Sequence, residues 1–188
     1  MSKRAHLRKD PRDFTGGGIL GLPGSPGTTG DKLFDERIKV LVDDWACGRA
    51  NGLVREMIAT ALKMGQDCLS VGDMKLYSRA LKEMRRASLI FGPYEEERKI
   101  SIFGSARTKP SEPEFQAAVA FAKRMQEAGF MTITGAGPGI MEAAQQGAGR
   151  ENSFGLNIKL PFEQSANPTI DGDEKLVNFN YFFTRKLA

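Results

Sequence analysis

Apolar positions between residues 32 and 91 recur every three or four residues, which is the period of an amphipathic α-helix. Three such stretches follow one another. Their apolar faces carry, in chain order, Phe34, Ile38, Leu41, Val42 and Trp45, then Leu53, Val54, Met57, Ile58, Ala61 and Leu62, then Tyr77, Leu81, Met84 and Phe91. The pattern predicts three helices, with Gly48 ending the first and Asp73 capping the third. Charged positions of the third helix are predicted to face solvent, among them Lys82, Glu83, Arg85 and Arg86.

Beyond residue 99 the pattern changes to short apolar runs that alternate with helical stretches. The predicted strands are Ile100–Phe103, Phe130–Thr134, Phe154–Leu160 and Leu176–Tyr181. A helix between the first two begins at a capping box of Ser111 and Glu114 and ends at Gly129. Connections of this length imply parallel strands joined by right-handed crossovers. The predicted fold class is therefore α/β, a partial Rossmann-like open parallel sheet preceded by an N-terminal helical region.

Three regions of different composition follow from these patterns. Residues 1–31 are basic at first and then rich in Gly and Pro, which predicts a disordered tail because so many glycines cost more entropy than the few apolar residues offset. Residues 32–93 are predicted to form a helical extension, and residues 98–188 are predicted to form a Rossmann-like domain that is incomplete at its C-terminus. The charged connector between the last two, Tyr94–Lys99, is the predicted domain boundary.

Composition and charge exclude several classes of protein. The 188 residues carry 27 Lys and Arg against 23 Asp and Glu, a net charge of +4, and much of the excess lies in the first dozen residues. Nucleic-acid binding is therefore unlikely, although the basic tail leaves it open as a minor alternative. No run is long and apolar enough for a membrane span or a secretory signal, so a cytoplasmic protein without a membrane partner is expected. Two cysteines without ligand spacing and a single histidine, His6, predict neither disulfides nor a metal site.

The glycine turn, defined as Gly135–Gly139, joins the second strand to the helix that follows it. Glycines let the backbone turn tightly there, and the start of the helix directs unpaired N–H groups and its positive dipole end beyond the sheet, which is typical of phosphate sites. A dinucleotide fingerprint does not fit, because its third glycine position is occupied by Ile140 and the next strand ends in Lys159 and Leu160 without an acidic residue. A P-loop sequence does not occur in the chain.

Four segments in order resemble the family named after the plant enzyme Lonely Guy, long mislabelled as lysine decarboxylases. The segments are Phe103–Arg107, Thr134–Ala143, Gly155–Gln164 and Tyr181–Lys186. The resemblance covers about residues 98–188, and the N-terminal helices are similar to the extension of longer members. It implies a phosphoribohydrolase, which cuts the N-glycosidic bond of AMP or a cytokinin nucleotide to give free base and ribose 5-phosphate.

The same resemblance implies the site residues and partners. Arg185 matches the catalytic arginine. The nucleotide-binding residues implied are Gly104, Ser105, Gly135, Ala136, Gly137, Pro138, Gly139 and Glu142. The expected ligand is a purine nucleoside monophosphate, the expected assembly is a homodimer, and no cofactor or metal is implied.

The family's second signature, P-G-G-x-G-T-x-x-E, carries its phosphate loop and catalytic glutamate and is absent from this chain. The chain therefore resembles a C-terminally truncated member with weak or no activity. The alternative function is a non-catalytic nucleotide-binding or carrier module that uses the same turn without the glutamate.

Overall fold

The computed structural model describes residues 27–46, 48–159 and 166–187. The predicted tail therefore lies outside the described residues as far as residue 26, as does Cys47. The chain divides into two compact units, Met1–Met74 and Lys75–Ala188. The prediction of a boundary at Tyr94–Lys99 stays a prediction.

The first unit contains two helices, α1 (Lys32–Trp45) and α2 (Asn51–Gln66). Asp31 caps α1, because its carboxylate accepts hydrogen bonds from the N–H groups of Leu33 and Phe34. Only Ile38 and Val42 of α1 and Ala59 of α2 are buried. Trp45, which was predicted on the apolar face, is 91% exposed.

The second unit carries a four-stranded parallel sheet. The long helix α3 (Val71–Phe91) leads into it, and the remaining elements are β1 (Arg98–Ser101), α4 (Pro113–Glu127), β2 (Phe130–Thr134), α5 (Ile140–Ala148), β3 (Ser153–Ile158), β4 (Leu176–Phe179) and α6 (Phe182–Leu187). The strands lie in the order β1-β2-β3-β4, and each neighbouring pair is parallel. The predicted α/β class, a partial Rossmann-like open sheet preceded in the chain by an N-terminal helical region, is confirmed.

Successive residues of β4 belong to two different clusters, as expected for side chains on opposite faces of a sheet. Val177 and Phe179 pack with Ala87 of α3, and Leu156 and Ile158 lie against the same cluster. Leu176 instead packs with Ala136, Ala166 and Ile170. The first cluster places α3 against β3 and β4.

Two predicted helix caps are wrong. The N-cap position of α4 is Glu112, and no side chain caps the helix, so Ser111 and Glu114 do not form a capping box. At α3 the helix begins two residues before Asp73. The hydroxyl of Ser70 accepts a hydrogen bond from the N–H of Asp73 at 3.0 Å and donates one to its carboxylate at 2.8 Å. Serine, with its shorter side chain, has taken the role predicted for the aspartate.

Helices α4 and α5 approach closely at Gly147. A Cβ atom added there would meet the backbone carbonyl of Val119, with the carbonyl carbon at 2.9 Å and the Cβ atom of Ala122 at 3.1 Å. We expect Gly147→Ala to lower the free energy of unfolding by about 1–3 kcal/mol, because the helices must move apart to admit a methyl group. Denaturant titration followed by circular dichroism measures this.

The matched control is Gly65→Ala, because Gly65 lies in α2 with no atom close to the position of an added Cβ. This change should raise stability by about 0.5–1 kcal/mol, the helix propensity of alanine over glycine. A Gly147→Ala variant as stable as the wild type would contradict the close approach of α4 and α5.

Candidate functional site

The loop after β1 and the glycine turn after β2 meet at one edge of the sheet, because both follow the carboxyl ends of neighbouring parallel strands. The N–H of Ile140 donates to the carbonyl oxygen of Ser105 at 3.0 Å. A Cβ atom added to Gly104 would overlap the side chain of Ile140. The structure therefore brings Gly104 and Ser105, which are far from the turn in sequence, against the start of α5.

Gly139 is the N-cap residue of α5 and has φ +71° and ψ −131°, a left-handed backbone conformation that favours glycine. A Cβ atom there would collide with the carbonyl oxygen of Ser105 and lie 2.8 Å from the carbonyl carbon of Ala106. Because Gly139 has no side chain, α5 begins without a side-chain cap. This leaves the start of α5 able to accept an external anion.

Ala136 also has a positive φ, +61°, and is fully buried. Its N–H donates to the hydroxyl of Thr134 at 2.9 Å, and its carbonyl oxygen accepts from the N–H of Asn167 at 2.8 Å. Both backbone groups of Ala136 are thus bonded within the protein. Ala136 shapes the turn, whereas Gly137 and Pro138 beside it are half-buried.

Asn167 stabilises the glycine turn from a separate segment of the chain, and the sequence did not identify it as a site residue. Its Nδ2 atom donates to the carbonyl oxygen of Gly137 at 3.0 Å and to the side-chain oxygen of Gln145 at 2.6 Å. Gln145 in turn donates to the carbonyl oxygen of Phe154 in β3 at 3.1 Å. A buried amide chain therefore ties the glycine turn to the sheet. The only sequence signal was the Asn-Pro pair, which favours a turn but does not name a partner.

We expect Asn167→Ala to lower the free energy of unfolding by about 1–3 kcal/mol, because the Gln145 oxygen and the Gly137 carbonyl would lose their donor in a buried place. Asn178→Ala is the matched control, since Asn178 is exposed and accepts one hydrogen bond, from Asn157. The control should change stability by less than about 0.5 kcal/mol. Equal effects in denaturant titrations would contradict the structural role given to Asn167.

The segment that carries Asn167 is fixed at its far end by an ionic cluster. The Asp173 carboxylate lies 2.9 Å from Nε of Arg150 and 2.8 Å from Nζ of Lys175. Arg150 also donates to the carbonyl oxygen of Asp171 at 2.9 Å. Burial by itself would raise the pKa of Asp173, but the hydrogen bonds and charges of Lys175 and Arg150 outweigh it and lower that pKa. The cluster therefore stabilises the segment in its charged form.

Arg185 lies over the glycine turn from the short helix α6. A Cβ atom added to Gly135 would overlap Nη2 of Arg185, so the guanidinium contacts the first glycine of the turn. The guanidinium carbon also lies 5.5 Å from the ring centroid of Phe182. Partial burial lowers the pKa of Arg185, although an arginine stays protonated in proteins. Within the described ranges its guanidinium has no hydrogen-bond acceptor and no ion-pair partner.

Glu142 lies in the first turn of α5 and is half-buried. Its carboxylate accepts a hydrogen bond from the Gln146 side chain one turn later, at 3.3 Å. No ion pair joins Glu142 to Arg185 in the part of the chain that the structure describes. The turn and Arg185 are thus brought together, whereas Glu142 is placed at the start of the same helix without a contact to the arginine.

Glu83 of α3 is buried, and the prediction that it faces solvent is wrong. Its Oε1 atom accepts from the N–H and the side-chain Nδ2 of Asn180, at 2.9 and 2.7 Å. Its Oε2 atom accepts from the hydroxyl of Thr184 at 2.6 Å. Burial by itself would raise the pKa of Glu83, but the hydrogen bonds from Thr184 and Asn180 outweigh it and lower the pKa.

A signal for Glu83 was present in the sequence. The buried residues of α3 are Ala80, Glu83 and Ala87, which have the spacing of one helix face. Charge alone led to the solvent-facing prediction, because a glutamate on this stripe is buried only when other groups bond to it. Those groups, Asn180 and Thr184, are about a hundred residues away in sequence.

Two features are absent from the described residues. Those residues contain no group of three or more His, Cys, Asp or Glu side chains able to hold a metal ion. None of the described helices has the length and apolar character needed to cross a bilayer. The basic cluster of the predicted tail lies outside the residues described.

Comparison of the chain with curated proteins found no match. A family model does match, over residues 97–170, which run from the start of β1 through the glycine turn to Asn167 and Ile170. The SLOG superfamily includes Lonely Guy-like proteins, so the predicted resemblance is supported at this broader level. The match indicates a nucleotide-related function of a broad kind. In this region the chain is similar to the SLOG cluster4 family.

Proposed function

We propose that the glycine turn and Arg185 bind the phosphate of a purine nucleoside 5′-monophosphate, and that the protein hydrolyses the N-glycosidic bond of that nucleotide. The products are the free base and ribose 5-phosphate. The resemblance to the Lonely Guy family supports the reaction, and the match to the SLOG cluster4 family supports the nucleotide. The geometry supports the phosphate site.

One observation carries the proposal, and it is the position of the Arg185 guanidinium. It contacts Gly135 at the start of the turn and has no acceptor or carboxylate partner among the described residues. A partly buried cation without a partner is costly, and an anionic ligand removes that cost. A guanidinium also matches the geometry of a phosphate with two parallel hydrogen bonds.

The start of α5 supplies the second half of the anion site. Gly139 offers no side-chain acceptor to the first turn. The N–H of Ile140 is bonded to Ser105, so the N–H groups of Met141 and Glu142 are the ones open to phosphate oxygens. Glycines at 135, 137 and 139 let the ligand approach the backbone closely. Two independent sources of positive potential, the guanidinium and the helix dipole, therefore meet at one edge of the sheet.

The proposed reaction needs a water molecule and a leaving base. The water oxygen forms a bond to C1′ of the ribose while the bond from C1′ to the base nitrogen breaks. The electron pair stays on the base, which takes up a proton, and positive charge develops on the sugar in the transition state. Arg185 fixes the phosphate end of the ribose, so its contribution is orientation. Glu142 is the proposed carboxylate on the sugar side.

Incubation of the protein with AMP, followed by chromatographic assay for adenine and ribose 5-phosphate, tests the reaction. Adenosine is the control substrate because it has the same glycosidic bond without the phosphate. We expect slow release of adenine from AMP and none from adenosine, because the chain lacks the second family signature and its glutamate. AMP that binds but yields no adenine would contradict the hydrolysis.

A non-catalytic nucleotide-binding or carrier module is the second candidate. It is favoured by the placement of Glu142, whose carboxylate is bonded to Gln146 of its own helix and forms no ion pair with Arg185. AMP recovered intact after prolonged incubation with a protein that binds it would support this module.

We also propose that the protein works as a homodimer, as the resemblance implies. Sedimentation velocity at micromolar protein concentration tests this. A single species with the mass of one chain, with and without AMP, would contradict it.

A further inference from the structure

We propose that Glu83 of α3 is a positioning residue for Arg185, which it holds over the glycine turn by fixing α6. The inference rests on the proposed function, because it concerns how the same phosphate site is assembled. Glu83 itself forms no hydrogen bond or ion pair with the turn or the guanidinium in the described part of the chain. Its effect on a ligand therefore passes through α6.

Both oxygens of the Glu83 carboxylate accept hydrogen bonds, one from Thr184 of α6 and the other from Asn180, two residues before that helix begins. Asn180 donates twice, from its backbone N–H and its side chain, and Thr184 donates once from its hydroxyl. The three donor-to-acceptor distances lie between 2.6 and 2.9 Å, as expected for hydrogen bonds to a charged acceptor. The Glu83 side chain thus bonds to α6 at Thr184 and, at Asn180, to the segment that leads into the helix.

Helix α6 needs stabilising bonds to another element because it contains six residues, far fewer than an isolated helix needs to form in water. Thr184 is adjacent to Arg185 in sequence. Fixing the direction of the Thr184 side chain therefore fixes the rotation of the helix about its axis, which in turn sets the direction of Arg185. The hydroxyl of Thr184 also contacts the carbonyl oxygen of Tyr181 within the same helix, at 2.8 Å.

Neutral donors, Asn180 and Thr184, occupy both oxygens of the Glu83 carboxylate. The negative charge of Glu83 is therefore satisfied without the guanidinium. Among the described residues Arg185 has no ion-pair partner, and its guanidinium contacts the turn at Gly135.

Two variants separate the hydrogen bonds from the charge. Glu83→Ala removes every contact to α6. Glu83→Gln keeps the shape and an oxygen for Asn180, and its amide can donate to the Thr184 hydroxyl, which then donates to the Tyr181 carbonyl. We expect Glu83→Ala to raise the dissociation constant for AMP about tenfold and Glu83→Gln to raise it less than about threefold. Lys82→Ala, an exposed neighbour on α3, is the control and should leave it unchanged.

A double-mutant cycle with Arg185→Ala distinguishes positioning from general support of the fold. If Glu83 acts through Arg185, Glu83→Ala adds less than about a twofold loss of AMP affinity once Arg185 is absent. A tenfold loss in both backgrounds would overturn the inference. Affinities are compared per folded molecule, with the folded fraction taken from circular dichroism.

Hydrogen exchange without ligand tests the inference independently of nucleotide binding. Glu83→Ala should speed amide exchange about tenfold or more over residues 180–187 and leave α5 unchanged, whereas Glu83→Gln should stay close to the wild type. Unchanged exchange over residues 180–187 would overturn the positioning role even if AMP binds. Faster exchange in a protein that does not bind AMP would instead contradict the proposed function and leave the structural link intact.

Discussion

Replacing Gly139 by alanine is expected to lower the free energy of unfolding by about 2–6 kcal/mol and to abolish AMP binding at millimolar concentration. The first part of the cost is backbone strain, because a φ of +71° with an extended ψ is nearly confined to glycine and costs about 1–3 kcal/mol in other residues. The second part is the collision of the new methyl group with the backbone of Ser105 and Ala106, which adds about 1–3 kcal/mol. Denaturant titration and calorimetry with AMP measure the two effects.

The opposite end of the same helix provides the control. Gly149 is the C-cap of α5 with φ +80°, and no atom lies within 4 Å of the place where its Cβ would be. Gly149→Ala should therefore show the strain without the collision, with a loss of about 1–3 kcal/mol and little change in AMP affinity. Equal losses of stability and affinity in the two variants would contradict the packing of the β1 loop onto the glycine turn.

Arg185→Ala is expected to raise the dissociation constant for AMP about 10- to 100-fold while leaving stability nearly unchanged. A single hydrogen bond to a charged group contributes about 1.5–3 kcal/mol, which by itself corresponds to this range. No described residue of the protein loses an ion pair when the guanidinium is removed. Arg185→Lys should give an intermediate affinity, because an ammonium keeps the charge but not the two-pronged geometry. Isothermal titration calorimetry at low salt measures all three proteins.

Lys186→Ala is the control for that series. It removes the same charge from the next residue of α6, and Lys186 is exposed. Its effect on affinity should stay within about twofold, as expected for a screened surface charge. If Lys186→Ala and Arg185→Ala weakened binding equally, the contribution of Arg185 would be general electrostatics and not a specific contact.

Local patterns predicted the fold well, because strands and helices leave a periodic trace in the sequence. The second strand was predicted with the bounds that the structure shows, Phe130–Thr134, since an apolar run between two glycines leaves little choice. The first strand was placed two residues too late, because β1 begins in the charged connector at Arg98. Pairing with β2, and not apolar character, sets its start.

Contacts between distant residues were not predictable in this way. Asn167 and Glu83 bond to groups that lie 30 and about 100 residues away. The periodic pattern of apolar positions in the sequence does not indicate such a partner. The sequence showed that the glycines form a turn, but not which residues lie against them. Arg185 contacts Gly135, and Ser105 contacts Gly139, only because the sheet brings separate loops to one edge.

Calorimetric titration of the wild-type protein with AMP, ribose 5-phosphate and adenosine is the most direct test of the phosphate site under Arg185. The proposed site predicts binding of AMP and of ribose 5-phosphate, which share the phosphate, and adenosine binding at least about tenfold weaker. Adenosine that binds as tightly as AMP, or an absence of binding by both phosphate compounds, would contradict a phosphate site at the glycine turn.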